Sequence, residues 1–130
     1  MATAKSNDSI LASIKRQMPG SSVPEDYQIY DDELMADINA EFAELQQLGV
    51  GDLDTMFEIT GYSETWGDYI DDPELLALVP QYIAFQVKMM FDTPKNSNVV
   101  ESLNGTIKRM EFRIMDAARR YQKRKEDANG

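Results

Sequence analysis

Glu41 and Glu44 stand three residues apart in a run of helical periodicity, and Asp37 precedes Glu41 by four. On a helix these positions share one flank. Two facing helices that each carry such carboxylates can hold a magnesium ion for phosphoryl chemistry. The facing set is missing, because the apolar segment between Glu74 and Asp92 contains no carboxylate. The ridge of Asp37, Glu41 and Glu44 is therefore read as a solvated, electrostatic face rather than half of a metal centre. Lys88, flanked by apolar residues, has the surroundings of a lysine with a lowered pKa, but it reads better as a side chain snorkelling at the edge of a core. The chain has no histidine and no cysteine. That removes imidazole bases, zinc sites, disulfides and thiolate nucleophiles. No glycine-rich phosphate loop, Walker sequence or nucleophile elbow is present. No catalytic residue, metal ligand or cofactor is expected.

A second acidic concentration lies in "ITGYSETWGDYIDD", residues 59–72, where the only tryptophan, Trp66, is surrounded by Glu64, Asp68, Asp71 and Asp72. Helix capping accounts for much of it. Thr65 can cap a single turn from Trp66 to Ile70, and Asp71-Asp72-Pro73 reads as a second helix start with proline at the first helical position. Carboxylates are favoured at such starts by about 0.3–1 kcal/mol each. Trp66, Tyr69 and Ile70, at i, i+3 and i+4, are read as a staple that clamps this loop onto the central helix. An alternative makes Phe57, Ile59, Tyr62 and Trp66 an apolar loop that receives a partner.

These side chains are positioned by a chain of 130 residues that is 42% hydrophobic, enough for one domain with a modest core. Its net charge of −10 is unevenly spread: residues 1–100 carry 5 basic and 18 acidic side chains, whereas residues 101–130 carry 8 and 5. An acidic body repels phosphate, so wrapping or gripping of nucleic acid by the whole domain is not expected. A basic end suits an acidic partner. The opening "MATAKSNDSI" has no apolar run of signal length, and no segment approaches the ~20 apolar residues of a membrane span. The expectation is a soluble protein made in a reducing cytosol, without membrane contact.

The periodicity predicts an all-α bundle of four to five helices. A short first helix, capped by Asp8 or Ser9, carries Ile10, Leu11 and Ile14 and ends at Pro19-Gly20, before a loop "PGSSVPEDYQIY". The next starts at Asp31-Asp32, has its apolar stripe at Leu34, Met35, Ile38, Phe42, Leu45 and Leu48, and stops at Gly49. Phe57 and Ile59 alternate with polar residues and predict a short extended segment or turn. The central helix, "PELLALVPQYIAFQVKMMF", is apolar on most sides, with core faces from Leu75 to Met90 and a remaining strip at Ala77, Gln81, Ala84 and Lys88. Pro80 is expected to kink it or divide it near Leu76. The last helix begins near Asn96-Ser97 with a stripe at Val100, Leu103, Ile107, Met110, Ile114, Ala118 and Tyr121. At ~35–40 Å it is as long as the globule is wide, so its C-terminal end should project. Residues 1–118 are read as the helical domain and 119–130 as a basic tail that leaves its own core. Phe112 and Met115, off the stripe, are candidate subunit contacts.

The order "ELQQLGVG", "ITGYSETWGDYIDD", "LVPQYIAFQVKMMFDTP" and "ESLNGTIKRMEFRI" resembles the head-to-tail connector, or adaptor, proteins of tailed bacteriophages infecting Gram-positive hosts, over residues 9–115. The resemblance implies a non-enzymatic helical subunit of a dodecameric ring in the virion neck, made in the host cytoplasm. Such a ring docks beneath the portal, extends the DNA channel and receives stopper or tail proteins, and DNA passes through its lumen without specific binding. Arg119, Arg120, Tyr121, Lys123, Arg124 and Lys125 are then the candidate portal-docking residues, Phe112 and Met115 the lateral contacts, and the loop of Phe57, Ile59, Tyr62 and Trp66 either a scaffold or the stopper contact. Two other classes stay open: a cytosolic helical regulatory module binding an acidic protein through the same tail, and, through Glu41-x-x-Glu44, an all-α magnesium-dependent nucleotide pyrophosphohydrolase.

Overall fold

Pro73 opens the helix around which the others gather. The computed structural model describes residues 6–18, 28–91 and 93–129, and among them are five helices: α1 (Ile10–Gln17), α2 (Asp31–Gln47), α3 (Trp66–Tyr69), α4 (Pro73–Phe91) and α5 (Ser97–Asn129). No strand occurs among the described residues. The expected stop at Pro19-Gly20 and most of the loop after it lie outside them. α4 starts as its sequence predicts, with Asp72 Oδ2 accepting from the Leu75 N–H at 3.0 Å and proline where no amide partner is needed. α1, α2 and α5 each pack on α4, and the resulting core holds Leu75, Val79, Tyr82, Ile83 and Val87.

Two expectations about α4 are corrected. Of the two outcomes expected of Pro80, a kink or a division near Leu76, the division does not occur: the helix is continuous from Pro73 to Phe91 with Pro80 buried inside. Packing on several sides offsets the ~3 kcal/mol that an interior proline costs. Ala84 and Lys88, assigned to the outer strip with Ala77 and Gln81, are buried, while Met90, assigned to the core, is 47% exposed. Helices crossing α4 at an angle cover different faces along its length, so one strip is not outer throughout.

α2 buries Leu34, Ile38, Phe42 and Leu45, as its periodicity predicts. Its end explains the "QLGVG" turn. The Gly49 N–H donates to the Gln46 carbonyl at 3.1 Å and the Val50 N–H to that of Leu45 at 3.0 Å, the two bonds of a Schellman cap. Gly49 and Gly51 have φ of 93° and 80°, where a side chain is strained. Val50 then folds back into the core.

The extended segment around Ile59 forms no strand, yet its backbone is paired. The Asn39 side chain of α2 accepts from the Ile59 N–H at 2.8 Å and donates to its carbonyl at 3.1 Å, so one amide stands in for a neighbouring strand. A single antiparallel bridge joins Ser9 to Thr65, with the Ile10 N–H donating to the Glu64 carbonyl at 3.0 Å and the Trp66 N–H to that of Asp8 at 3.2 Å. α3 follows as one turn, opened by the Thr65 N–H donating to Asp68 Oδ2 at 2.9 Å. Trp66 is fully buried. Its indole Nε1 donates to Ser13 Oγ at 2.7 Å, and Ser13 donates to the Ile10 carbonyl at 3.0 Å. The polar edge of the staple is thus held by α1, not by the central helix.

Fully buried positions in α5 are confined to Ile107, Met110, Ile114, Ala117 and Ala118. The helix is gripped in the middle and extends past the core at both ends, by roughly 15 Å each, without a break at residue 118.

Trp66→Ala is expected to lower stability by ~3–5 kcal/mol. Ser13→Ala, which strands the buried indole N–H, should lower it by about 1–3 kcal/mol. Urea unfolding followed by far-ultraviolet circular dichroism measures both, and a Ser13→Ala protein as stable as the parent would contradict the α1 anchor.

Candidate functional site

Past Tyr121, which packs half-buried against the core, the apolar stripe gives out, but α5 does not leave the body at once. The α3–α4 junction presents Asp71, Asp72 and Glu74, gathered there by the start of α4, and α5 turns toward them. Arg120 lies 2.7 Å from Glu74 Oε2 and Arg124 2.6 Å from Asp72 Oδ1. Tyr121 Oη donates to Asp71 Oδ1 at 3.0 Å, and Gln122 Nε2 to the Gly49 carbonyl at 2.7 Å. Burial and the bond to Asp71 push the Tyr121 phenol up to about 12. The Arg120–Glu74 pair and the Arg124 side of the other pair are about half exposed, while the Asp72 side chain is largely buried; exposed pairs are individually weak, so the set works as a clamp that fixes direction more than as a store of stability. The sequence expectation that the tail parts from its core at Tyr121 is therefore corrected: contact continues to Arg124 in polar form.

This clamp splits the six candidate docking residues. Arg120, Tyr121 and Arg124 engage the protein's own carboxylates, whereas Arg119, Lys123 and Lys125 are exposed, with Lys125 Nζ 5.3 Å from the centre of the Tyr121 ring. Phe112 and Met115 stand on the outer face of the same helix, 73% and 37% exposed.

The four loop candidates also divide. Ile59 and Trp66 are core residues. Phe57 is half-buried, its ring 5.1 Å from Phe42 and 4.9 Å from Tyr69. Tyr62 is 38% exposed, and its Oη closes a triangle: it donates to Asp31 Oδ2 at 2.6 Å and accepts from Lys15 Nζ at 2.8 Å, while Lys15 donates to Asp31 Oδ1 at 2.9 Å. Burial opposes the Lys15 charge, but the bonds to Tyr62 and Asp31 outweigh it and its pKa is raised. Periodicity carried no signal for this triangle, since its members lie 16 and 47 residues apart.

The acidic ridge differs most from its reading. Glu44 is exposed, but Glu41 is only 3% exposed and turned into the protein, and its Oε1 has no hydrogen-bond partner. Burial, then the neighbouring charge of Glu44, push the Glu41 carboxyl up to about 8. The same pocket pushes the Tyr82 phenol up to about 12, chiefly through burial, and Tyr82 Oη accepts from Gln86 Nε2 at 3.2 Å. Glu41 is thus a neutral acid at neutral pH rather than a solvated carboxylate. No group of three or more metal-ligating side chains occurs among the described residues. Among the described residues no helix is long and apolar enough to cross a membrane.

What the molecule offers, then, is a small all-α unit whose chemistry sits on its faces, in exposed apolar and charged side chains along one long helix. The chain belongs to the phage connector family: the family model described as phage connector protein matches residues 10–121. That span runs from the start of α1 to Tyr121, and it bears out the resemblance to phage connector proteins carried by the ordered motifs. No curated protein and no solved structure matches the chain.

Glu41 yields a prediction about pH. Its folded pKa of about 8 lies above its unfolded value, so its contribution is complete below about 4.5 and is lost as pH rises through 8, by an amount on the order of a few kcal/mol. The urea midpoint should therefore fall between about pH 6 and pH 9, and Glu41→Gln should remove most of that fall. A midpoint that is flat over this range in the parent protein would contradict the neutral buried acid.

Proposed function

We propose that the chain is a non-enzymatic subunit of a ring in the phage neck, dodecameric as the resemblance implies, that docks beneath the portal, extends the DNA channel and receives stopper or tail proteins. The observation that carries this reading is the build of α5. It is gripped by the core only between Ile107 and Ala118, and the Asp71–Asp72–Glu74 clamp points its end outward with Arg119, Lys123 and Lys125 free of the carboxylates that engage Arg120 and Arg124. A rod ending in outward cations suits an acidic portal surface. The acidic body suits a conduit along which DNA must slide, because like charge keeps phosphate off the wall. The burial of Glu41, whose side chain is turned into the protein, supports a structural role for the ridge in place of nucleotide hydrolysis. A cytosolic regulatory module would use the same tail but would not follow the portal.

The test is co-sedimentation with purified portal or DNA-filled heads over a salt series. Removing residues 119–130 should leave the helical fold intact and abolish binding. Replacing Lys123 and Lys125 together by glutamine should weaken binding at least as much as Arg120→Gln with Arg124→Gln. Equal binding by the truncated and full-length proteins would overturn the docking role.

A further inference from the structure

The outer face of α5 carries Lys108, Phe112, Met115, Arg119 and Lys123 at steps of three or four, and all five are exposed. Its pattern is a cation, two large apolar side chains, then two cations. Phe112 is the most exposed large apolar side chain of the described residues, and a surface of this kind marks a protein contact. α2 presents a face of similar length and complementary content. Glu33, Ala36, Ala40, Glu44 and Gln47, again at steps of three or four, are all exposed. Here the pattern is an acid, two small apolar side chains, then an acid and an amide. Both stripes span roughly 21–23 Å. Alanines let another helix approach to about 8 Å, which leaves room for Phe112 and Met115 to lie across them while unlike charges meet on either side.

The two helices also share a direction. At the start of α2 the Tyr30 ring lies 5.3 Å from that of Phe91, at the end of α4 that leads into α5. At the other end, a side chain built on Gly49 would lie 3.7 Å from Ala118 Cβ. α2 and α5 therefore run the same way, with α4 opposed to both. In a closed ring of many copies each neighbour is turned only slightly, by about 30° for twelve. The α2 of one copy then runs nearly parallel to the α5 of the next, and that fixes the register.

We propose that subunits associate through these two unlike faces, the outer face of α5 in one copy lying parallel on the exposed face of α2 in the next. Lys108 then meets Glu33, Phe112 and Met115 cover Ala36 and Ala40, and Arg119 meets Glu44. The contact is heterologous, so it propagates around a ring instead of closing a two-fold dimer. The inference rests on the ring reading and adds to it the surfaces that make the ring.

The absence of cysteine from the sequence makes the test direct. Met115→Cys and Ala40→Cys proteins, both altered at exposed positions, are mixed, allowed to incorporate into heads and oxidised. The mixture should give a disulfide-linked pair at about tenfold the yield of either variant alone, as a heterologous contact requires. Self-linking of Met115→Cys would mean a two-fold contact and overturn the proposal. Linking of Ala40→Cys to Phe112→Cys in preference to Met115→Cys would mean an antiparallel register and overturn it as well. Incorporation of many copies per head without any of these links would refute the two faces and leave the ring standing. A single copy per head would refute the ring itself.

Discussion

A helix that is apolar over most of its circumference needs cover on several sides, and α4 imposes that condition on the whole chain. Nineteen residues from Pro73 to Phe91 hold one internal charge, Lys88, after the opening Glu74, and α1, α2 and α5 are what cover them. Each covering helix has one apolar stripe and is too short or too polar to be stable alone. Their packing on α4 is therefore what makes them helices in the folded state. That dependence also explains why an interior proline is tolerated, since the tertiary contacts of α4 outweigh the carbonyl it leaves without a donor.

The start of α4 has a second consequence. Helix N-termini gather carboxylates, and Asp71, Asp72 and Glu74 accumulate there for that local reason. Once present they make an acidic seat, and α5 uses it to continue in contact after its apolar stripe runs out at Tyr121. A feature of secondary structure thereby sets the direction of the longest element and decides which cations face outward. The buried Glu41 of α2 is turned into the protein and offers no chemistry at the surface.

Elements whose cause is local were legible in the sequence. The bounds of α4, the Asp72 cap, the Gly49 turn and the α5 stripe from Ile107 onward follow from spacing and capping within a few residues, whereas Val100 and Leu103, expected on that stripe, are only half-buried and lie outside the core. Pairings made across the fold were not. Asn39 looks like any polar residue on a helix flank, and only the approach of Ile59 turns it into a backbone partner. Glu41 has the spacing of a solvated ridge, and its burial depends on where α4 lies. The attachment of Arg120 and Arg124 to Glu74 and Asp72 bridges about fifty residues; the one available signal was the coincidence of an acidic cluster with a basic end. Among the site candidates, the exposure of Phe112 and Met115 was readable from their offset from the stripe, whereas the division of the six tail residues into inward and outward sets was not.

Amide hydrogen exchange along α5 in the free chain tests the central claim, a rod gripped at its middle by an apolar hub, most directly. Amides of α4 and of residues 107–118 should exchange only with global unfolding, while those of 97–104 and 125–129 should exchange by local fraying, orders of magnitude faster. Uniform protection from Ser97 to Asn129, or faster exchange in α4 than in the helices that cover it, would contradict the account.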